Sequence, residues 1–146
     1  MIAENIIKKL TKNSKIKICI GRIFSFTDNK QDKTFVIPSI IKKIKSNKKK
    51  IFFKDLNNFR DFLSTKDIVL AIDVLRKKKS AGLYNIGSSL CFDLRNIAKS
   101  ISKKYNKEIC FQNSSRSSFL ISNNDKIKKL GWLPAKFNNK IEYFYK

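Results

Sequence analysis

Helix-period stripes of isoleucine and leucine alternate with short apolar runs along almost all of this 146-residue chain, and that alternation restricts the fold more than any other feature. Ile2, Ala3, Ile6, Ile7 and Leu10 recur at helical spacing with lysines between them, so the chain opens in an amphipathic helix. Residues 16–24 form a nearly unbroken apolar run, the pattern of a strand covered on both faces in a parallel sheet. A polar loop over 27–34 leads to Pro38, which suits the first turn of a helix because an N–H there has no intrahelical partner to lose. Ile37, Ile40, Ile41 and Ile44 form the buried stripe of that helix. Residues 51–53 read as a strand, and residues 61–63 begin another extended segment. Ser64 and Asp67 have the spacing of a capping box, with Asp in place of the usual Glu or Gln, and Ile68, Ala71, Ile72 and Leu75 supply the next stripe.

Residues 82–87 read as a strand with its exit turn, and Leu94, Ile97, Ala98 and Ile101 as a further helix. In the tail, 108–112 is predicted as a strand and 113–118 as a polar loop. Residues 124–130 form a short helix stopped by Gly131, with Pro134 beyond it, and 139–145 a last helix. The order αβαβαβα predicts an α/β protein rather than a bundle or a sandwich. Neither an internal repeat nor a flexible linker is present, and the length amounts to one domain or part of one.

Charge adds a second constraint. The formal net charge is +22, which taken alone points to nucleic acid or another anionic surface. Only five of the 33 basic residues are arginine, however, and the lysines fall largely where solvated helix faces and helix ends accept them. Lys48-Lys49-Lys50 and Lys77-Lys78-Lys79 each follow an apparent helix. A nucleic-acid partner is therefore disfavoured, with a basic polyanion-binding protein kept as the alternative. Cys19, Cys91 and Cys110 lie far apart without a C-x-x-C pair, which predicts reduced thiols and a cytoplasmic setting. Glu4 interrupts the first apolar stripe and no run reaches spanning length, so neither a signal peptide nor membrane insertion is expected.

Several segments, taken in order, resemble the second half of the extended short-chain dehydrogenases/reductases, the nucleotide-sugar epimerase/dehydratase family. Ala3-Glu4 looks like the pair that follows that family's catalytic Tyr-x-x-x-Lys on one helix, and Gly21-Arg22-Ile23-Phe24-Ser25-Phe26 resembles the strand and turn that come next. Asn58-Phe59-Arg60-Asp61-Phe62-Leu63-Ser64-Thr65-Lys66-Asp67-Ile68 is similar to the Arg-Asp-Phe segment and the helix start after it. Tyr84-Asn85-Ile86-Gly87-Ser88 resembles the Tyr-Asn-Ile-Gly turn, and Lys129-Leu130-Gly131-Trp132-Leu133-Pro134 the Leu-Gly-Trp-x-Pro segment.

The resemblance implies the C-terminal part of a Rossmann-type fold, truncated before the dinucleotide-binding half, with residues 1–146 as a single partial domain. It implies a nucleotide-diphosphate sugar as ligand and NAD(P) as the family's cofactor. A Rossmann-half partner chain or a homodimer, with the opening helix in or near its interface, is the implied assembly. Two arginines commonly hold the diphosphate, and Arg60 and Arg116 stand at the matching places; a planar guanidinium can give parallel hydrogen bonds to phosphate oxygens. Val36 and Pro38 fall in the segment that helps wall the sugar-nucleotide pocket, although a hydrophobic staple would look the same. Asp28 stands where the family turn ordinarily has glycine beside the nicotinamide.

Absent motifs bear on activity. Gly21, Gly82, Gly87 and Gly131 cannot make a G-x-x-G-x-x-G or G-x-G-x-x-G turn, and no tyrosine has lysine four residues later. The chain is thus expected to bind no dinucleotide alone and to lack the Tyr-Lys pair for proton transfer. Histidine is absent, which removes Ser-His-Asp and Cys-His catalysis and the common zinc sites. Three readings follow: a sugar-nucleotide half inactive alone, a polyanion binder, or a remnant without a biochemical role.

Overall fold

In the computed structural model, residues 2–112 and 116–135 are described. The loop over 113–118 therefore lies partly outside the described residues, and the helix expected over 139–145 wholly so. The elements are α1 (Ile2–Thr11), β1 (Cys19–Ile23), β2 (Ser25–Thr27), α2 (Val36–Ile44), β3 (Lys50–Lys54), β4 (Asn58–Arg60) and β5 (Phe62–Ser64). They continue with α3 (Thr65–Lys77), β6 (Gly82–Ile86), β7 (Phe92–Asp93), α4 (Leu94–Lys104), β8 (Glu108–Gln112), β9 (Ser118–Leu120) and α5 (Asp125–Lys128). The α/β alternation expected from the periodicity is the architecture found.

Parallel pairing dominates. β1 pairs with β6 in the register Ile20↔Leu83, β2 with β5 as Phe26↔Leu63, and β3 with β8 as Phe52↔Cys110. A small sheet in the order β7-β4-β9 completes the set, antiparallel on the β7 side and parallel on the β9 side. Each parallel pair is joined through a helix, because two parallel strands cannot be closed by a tight turn.

Two apolar cores result, and β5 divides them. Successive strand residues point to opposite faces, so Phe62 enters one core with Ile37, Ile40, Ile44, Ile51, Phe53 and Ile97. Leu63 enters the other with Ala71, Leu75, Tyr84, Ile86, Ile127 and Trp132. Side chains of this kind contribute about 1.5–3 kcal/mol each when fully buried. The predicted stripes of α2 and α4 are buried apart from Ile41, which is half-buried, and Trp132 is buried as well.

Helix α3 starts as its capping spacing required, since Ser64 Oγ accepts from the Asp67 amide at 3.0 Å. The acid of the box does not reach back to the Ser64 backbone. Instead Asp67 accepts from the Ser64 hydroxyl at 2.7 Å and from the Ala135 amide at 3.0 Å, and its carbonyl accepts from Trp132 Nε1 at 3.2 Å. Asp67 is consequently buried, and it ties the Leu-Gly-Trp-x-Pro segment to the start of α3.

Two expectations change. The stripe of α3 includes Ile68, Ala71 and Leu75 but not Ile72, which is 50 % exposed. The strand expected over 16–24 shortens to β1, and one of its faces stays open: Ile23 is 46 % exposed, whereas Ile20 and Arg22 on the other face are half-buried, and Ile16 lies outside the strand in solvent. One physical cause serves both, because Ile23 and Ile72 line a cleft of about 450 Å³ between β1 and α3 that nothing fills among the described residues. The stripe of α1 is uncovered as well, with Ile2, Ile6 and Leu10 exposed. No helix among the described residues is long and apolar enough to cross a membrane.

Candidate functional site

The turn between β4 and β5 organises the polar part of the molecule. Asp61 occupies it and is wholly buried. Its Oδ1 accepts from the Ser88 amide and hydroxyl, both at 2.6 Å. Its Oδ2 accepts from the Ser89 amide at 2.9 Å, the Ser122 amide at 3.1 Å and the Ser122 hydroxyl. The five donors come from the turn after β6 and the segment after β9, so one side chain ties three chain segments together. A buried acid with this many donors is satisfied without a cation. Strand alternation sends Arg60 and Asp61 to opposite environments, so the adjacent opposite charges do not make an exposed pair.

Arg60 lies on β4 beside β9. Its Nη1 donates to the carbonyl oxygens of Phe59 at 2.8 Å and Ser118 at 3.1 Å, and its Nη2 donates to Ser118 Oγ at 2.9 Å. That hydroxyl in turn donates to Asn58 Oδ1 at 2.6 Å. On the other side of the same pair of strands, Phe59 and Phe119 stack with ring centroids 4.4 Å apart and planes within 4°. The arginine is thus carried on a strand held from both faces.

Arg116 is exposed, two residues before Ser118, on the segment that enters β9. The parallel register of β4 and β9 sets Arg60 opposite Leu120, four residues beyond Arg116, and no hydrogen bond joins the two arginines among the described residues. Val36 and Pro38 sit half-buried in the first turn of α2, and Val36 packs against the core that contains Phe62. A hydrophobic staple needs an apolar residue just before the N-cap. Phe35 is itself the N-cap and is 51 % exposed, while Thr34 precedes it, so the staple is not formed.

Two segments of the family pattern meet directly. Arg22 Nε and Nη2 donate to the two oxygens of Glu4 at 2.7 and 2.6 Å, docking α1 on β1. This hydrogen bond holds the Glu4 carboxyl below its ordinary range and raises the Arg22 guanidinium further. Asp28, after β2, is engaged too. It accepts from Thr65 Oγ1 at 2.6 Å and from the Lys30 amide at 2.9 Å, and these bonds hold it below the usual carboxylate range.

The four glycines do not fit a dinucleotide. Gly21 is mid-strand, where a Cβ would lie 2.8 Å from Ile86 Cδ1, and Gly87 faces Asp61 Oδ2 and Ser122 rather than open space. Gly82 and Gly131 take left-handed turns at φ +93° and +94°, one at a strand start and one after α5. None stands at a turn from a strand into a helix N-terminus, the geometry that cradles a pyrophosphate.

Sequence reasoning singled out Arg60 as a candidate but not Ser118, which holds it, nor the buried knot at Asp61. The available signal was the pair of serines after Gly87, hydroxyl-bearing residues at the carboxyl end of a strand.

Comparison with known proteins bears on the whole chain. A family model described as GDP-mannose 4,6 dehydratase matches residues 1–138. A dTDP-D-glucose 4,6-dehydratase of Dictyostelium discoideum is 32% identical over 100 residues, covering 68% of this chain and 23% of that protein. Among solved structures, RMD from Pseudomonas aeruginosa, complexed with NADPH, superposes with a TM-score of 0.83 at 19% identity, over 97% of this chain and 50% of that one. A dTDP-glucose 4,6-dehydratase from Bacillus anthracis, in complex with NAD, gives 0.82 at 23% identity, over 97% and 48%. The chain therefore spans about half the length of these solved structures and less than a quarter of the curated relative. Their fold is the Rossmann-type fold expected from the alternation and the motifs.

Proposed function

The chain belongs to the GDP-mannose 4,6 dehydratase family, and from that premise we propose that its 146 residues form the sugar-nucleotide side of a nucleotide-sugar dehydratase or epimerase. Arg60 grips the diphosphate, Arg116 adds a second positive charge from the segment entering β9, and Val36 and Pro38 contribute to the wall of the sugar-nucleotide pocket. The observation that carries this reading is the mounting of Arg60: a guanidinium on a short strand, held by the Ser118 carbonyl and hydroxyl and next in sequence to the buried Asp61 that anchors the end of that strand. Pre-positioning of this kind lowers the entropy lost when a planar fork meets phosphate oxygens.

The chain's own residues bind and orient. They carry no hydride step, since no tyrosine has a lysine four residues on and no glycine turn accepts a pyrophosphate. Relatives solved with NAD or NADPH support a nicotinamide dinucleotide as the redox partner of the complete site. In this reading it is held by a dinucleotide-binding half that this sequence does not contain, and these residues alone are inactive. The polyanion reading gains no support from the comparisons.

The test is calorimetric titration of the folded chain with UDP-, GDP- and dTDP-sugars. Saturable binding of one of them, weakened about tenfold or more in Arg60→Ala, is the expected result. A folded chain that binds none of them, or binds equally well without Arg60, would remove the proposal.

A further inference from the structure

Strand β3 is hydrogen-bonded on one side only among the described residues, to β8. A cleft of about 670 Å³ lies between its other edge and α2. The lining includes every residue of β3 from Lys50 through Lys54, drawn from both faces, so the cleft follows the strand's edge rather than one of its surfaces. Ile51 and Phe53 turn inward and are buried, whereas Lys50, Phe52 and Lys54 turn outward, with Phe52 57 % exposed.

The cleft is strongly one-signed. Lys43, Lys48, Lys50 and Lys54 line it and no acidic residue does. Lys50 reaches Glu108 at 3.2 Å, which holds its ammonium above the ordinary range; among the described residues Lys43, Lys48 and Lys54 form no ion pair. Lysines on a bare edge repel a second edge of the same kind, so another copy of this chain is a poor occupant. A strand with carboxylates at alternate positions is a good one. It would satisfy the unpaired amides and carbonyls of β3 together, whereas a phosphate backbone supplies acceptors only.

We propose that the free edge of β3 is a docking surface for an extended acidic segment of a partner protein, added as a further parallel or antiparallel strand. Strand periodicity fixes its pattern. Opposite Lys50, Phe52 and Lys54 it presents acid, apolar, acid; its intervening residues are apolar and face the side where Ile40 and Leu56 line the cleft. This inference goes beyond the sugar-nucleotide reading and does not use Arg60.

The test uses the full chain and a short labelled peptide with the core Glu-Val-Phe-Val-Glu, followed by fluorescence anisotropy at about 0.15 M salt. Saturable binding is expected, weaker by about tenfold or more when the valines and the phenylalanine are replaced by their backbone N-methyl forms, which removes main-chain donors for either strand direction. A comparable loss is expected for Lys50→Ala combined with Lys54→Ala, with the melting temperature of that variant confirming its fold. Binding that survives the N-methylation, or a single-stranded oligonucleotide of equal charge that displaces the peptide and binds more tightly, overturns the proposal in favour of a general polyanion surface. Absence of saturable binding to the folded chain overturns it outright.

Discussion

Ser88 donates twice to the same Asp61 oxygen, from its backbone amide and from its hydroxyl, each at 2.6 Å. The acid and the serine are 27 residues apart, and Ser122, on the other oxygen, is 61 residues from the acid. Removing the carboxylate would leave the Ser88 and Ser122 amides buried without acceptors, while the Ser89 amide keeps only a long contact to Ser122 Oγ at 3.3 Å. Each costs about 1–3 kcal/mol when orphaned, so Asp61→Ala is expected to lose about 3 kcal/mol or more in denaturant unfolding. A loss under about 1 kcal/mol would mean that water replaces the carboxylate freely.

Gly87 serves the same knot. A Cβ there would come within 2.6 Å of Asp61 Oδ2 and would meet the Ser122 side chain. Gly87→Ala is expected to destabilise by about 1–3 kcal/mol through overpacking. In a double-mutant cycle with Ser122→Gly the penalty should shrink, because both Ser122 atoms that the new Cβ would meet are gone. Additive penalties would place the strain elsewhere.

Ser118 holds Arg60 by its carbonyl and its hydroxyl. Those bonds hold the planar fork ready for a diphosphate. Ser118→Ala removes one of them, and a hydrogen bond of this kind is worth about 0.5–1.5 kcal/mol net. Sugar-nucleotide affinity is expected to fall by a few-fold, and Arg60→Lys, which loses the planar fork, is expected to lower it further. Calorimetry on the two variants side by side ranks the losses, and an affinity that rises in Ser118→Ala would show that Ser118 competes with the ligand.

The Glu4 and Arg22 contact gives the docking of α1 a pH dependence. Its hydrogen bond to Arg22 holds the Glu4 carboxyl low, with partial burial opposing the effect. A carboxyl depressed in the folded state contributes stability that is present above its unfolded pKa and disappears as pH falls through the folded value. Arg22 moves upward and stays charged throughout that window. Hydrogen exchange should therefore show the amides of α1 losing protection on acidification below the ordinary carboxylate range, ahead of those in α4. Glu4→Gln should show weak protection of α1 at every pH, and unchanged protection of α1 in the native chain at acid pH would dismiss the contact.

Ile72 and Leu75 belong to one predicted stripe yet sit in different surroundings, 50 % and 7 % exposed. Leu75→Ala is expected to cost about 2–5 kcal/mol and Ile72→Ser within about 0.5 kcal/mol. Thermal melts of the two variants check this. A large loss at Ile72 would show that the cleft between β1 and α3 is filled in solution.

Sequence alone determined the local level. Periodicity located α1 to α4 and β1, β3, β5, β6 and β8, though not the short β2, β4, β7 and β9, because one turn or one pleat is a short-range property, readable from spacing where the element is long enough. The capping serine at 64, the stop at Gly131 and the absence of a glycine-rich turn were legible for the same reason. Tertiary structure alone decided what covers each face and which polar groups meet. A stripe says that Ile72 is apolar, not that a neighbour arrives to bury it. A dipeptide says that Arg60 and Asp61 are charged, not that one is pinned by a serine 58 residues away while the other gathers three segments into a buried knot. Such contacts join residues distant in the chain, and their geometry exists only once Phe62 and Leu63 have sent the two cores to opposite sides of one strand.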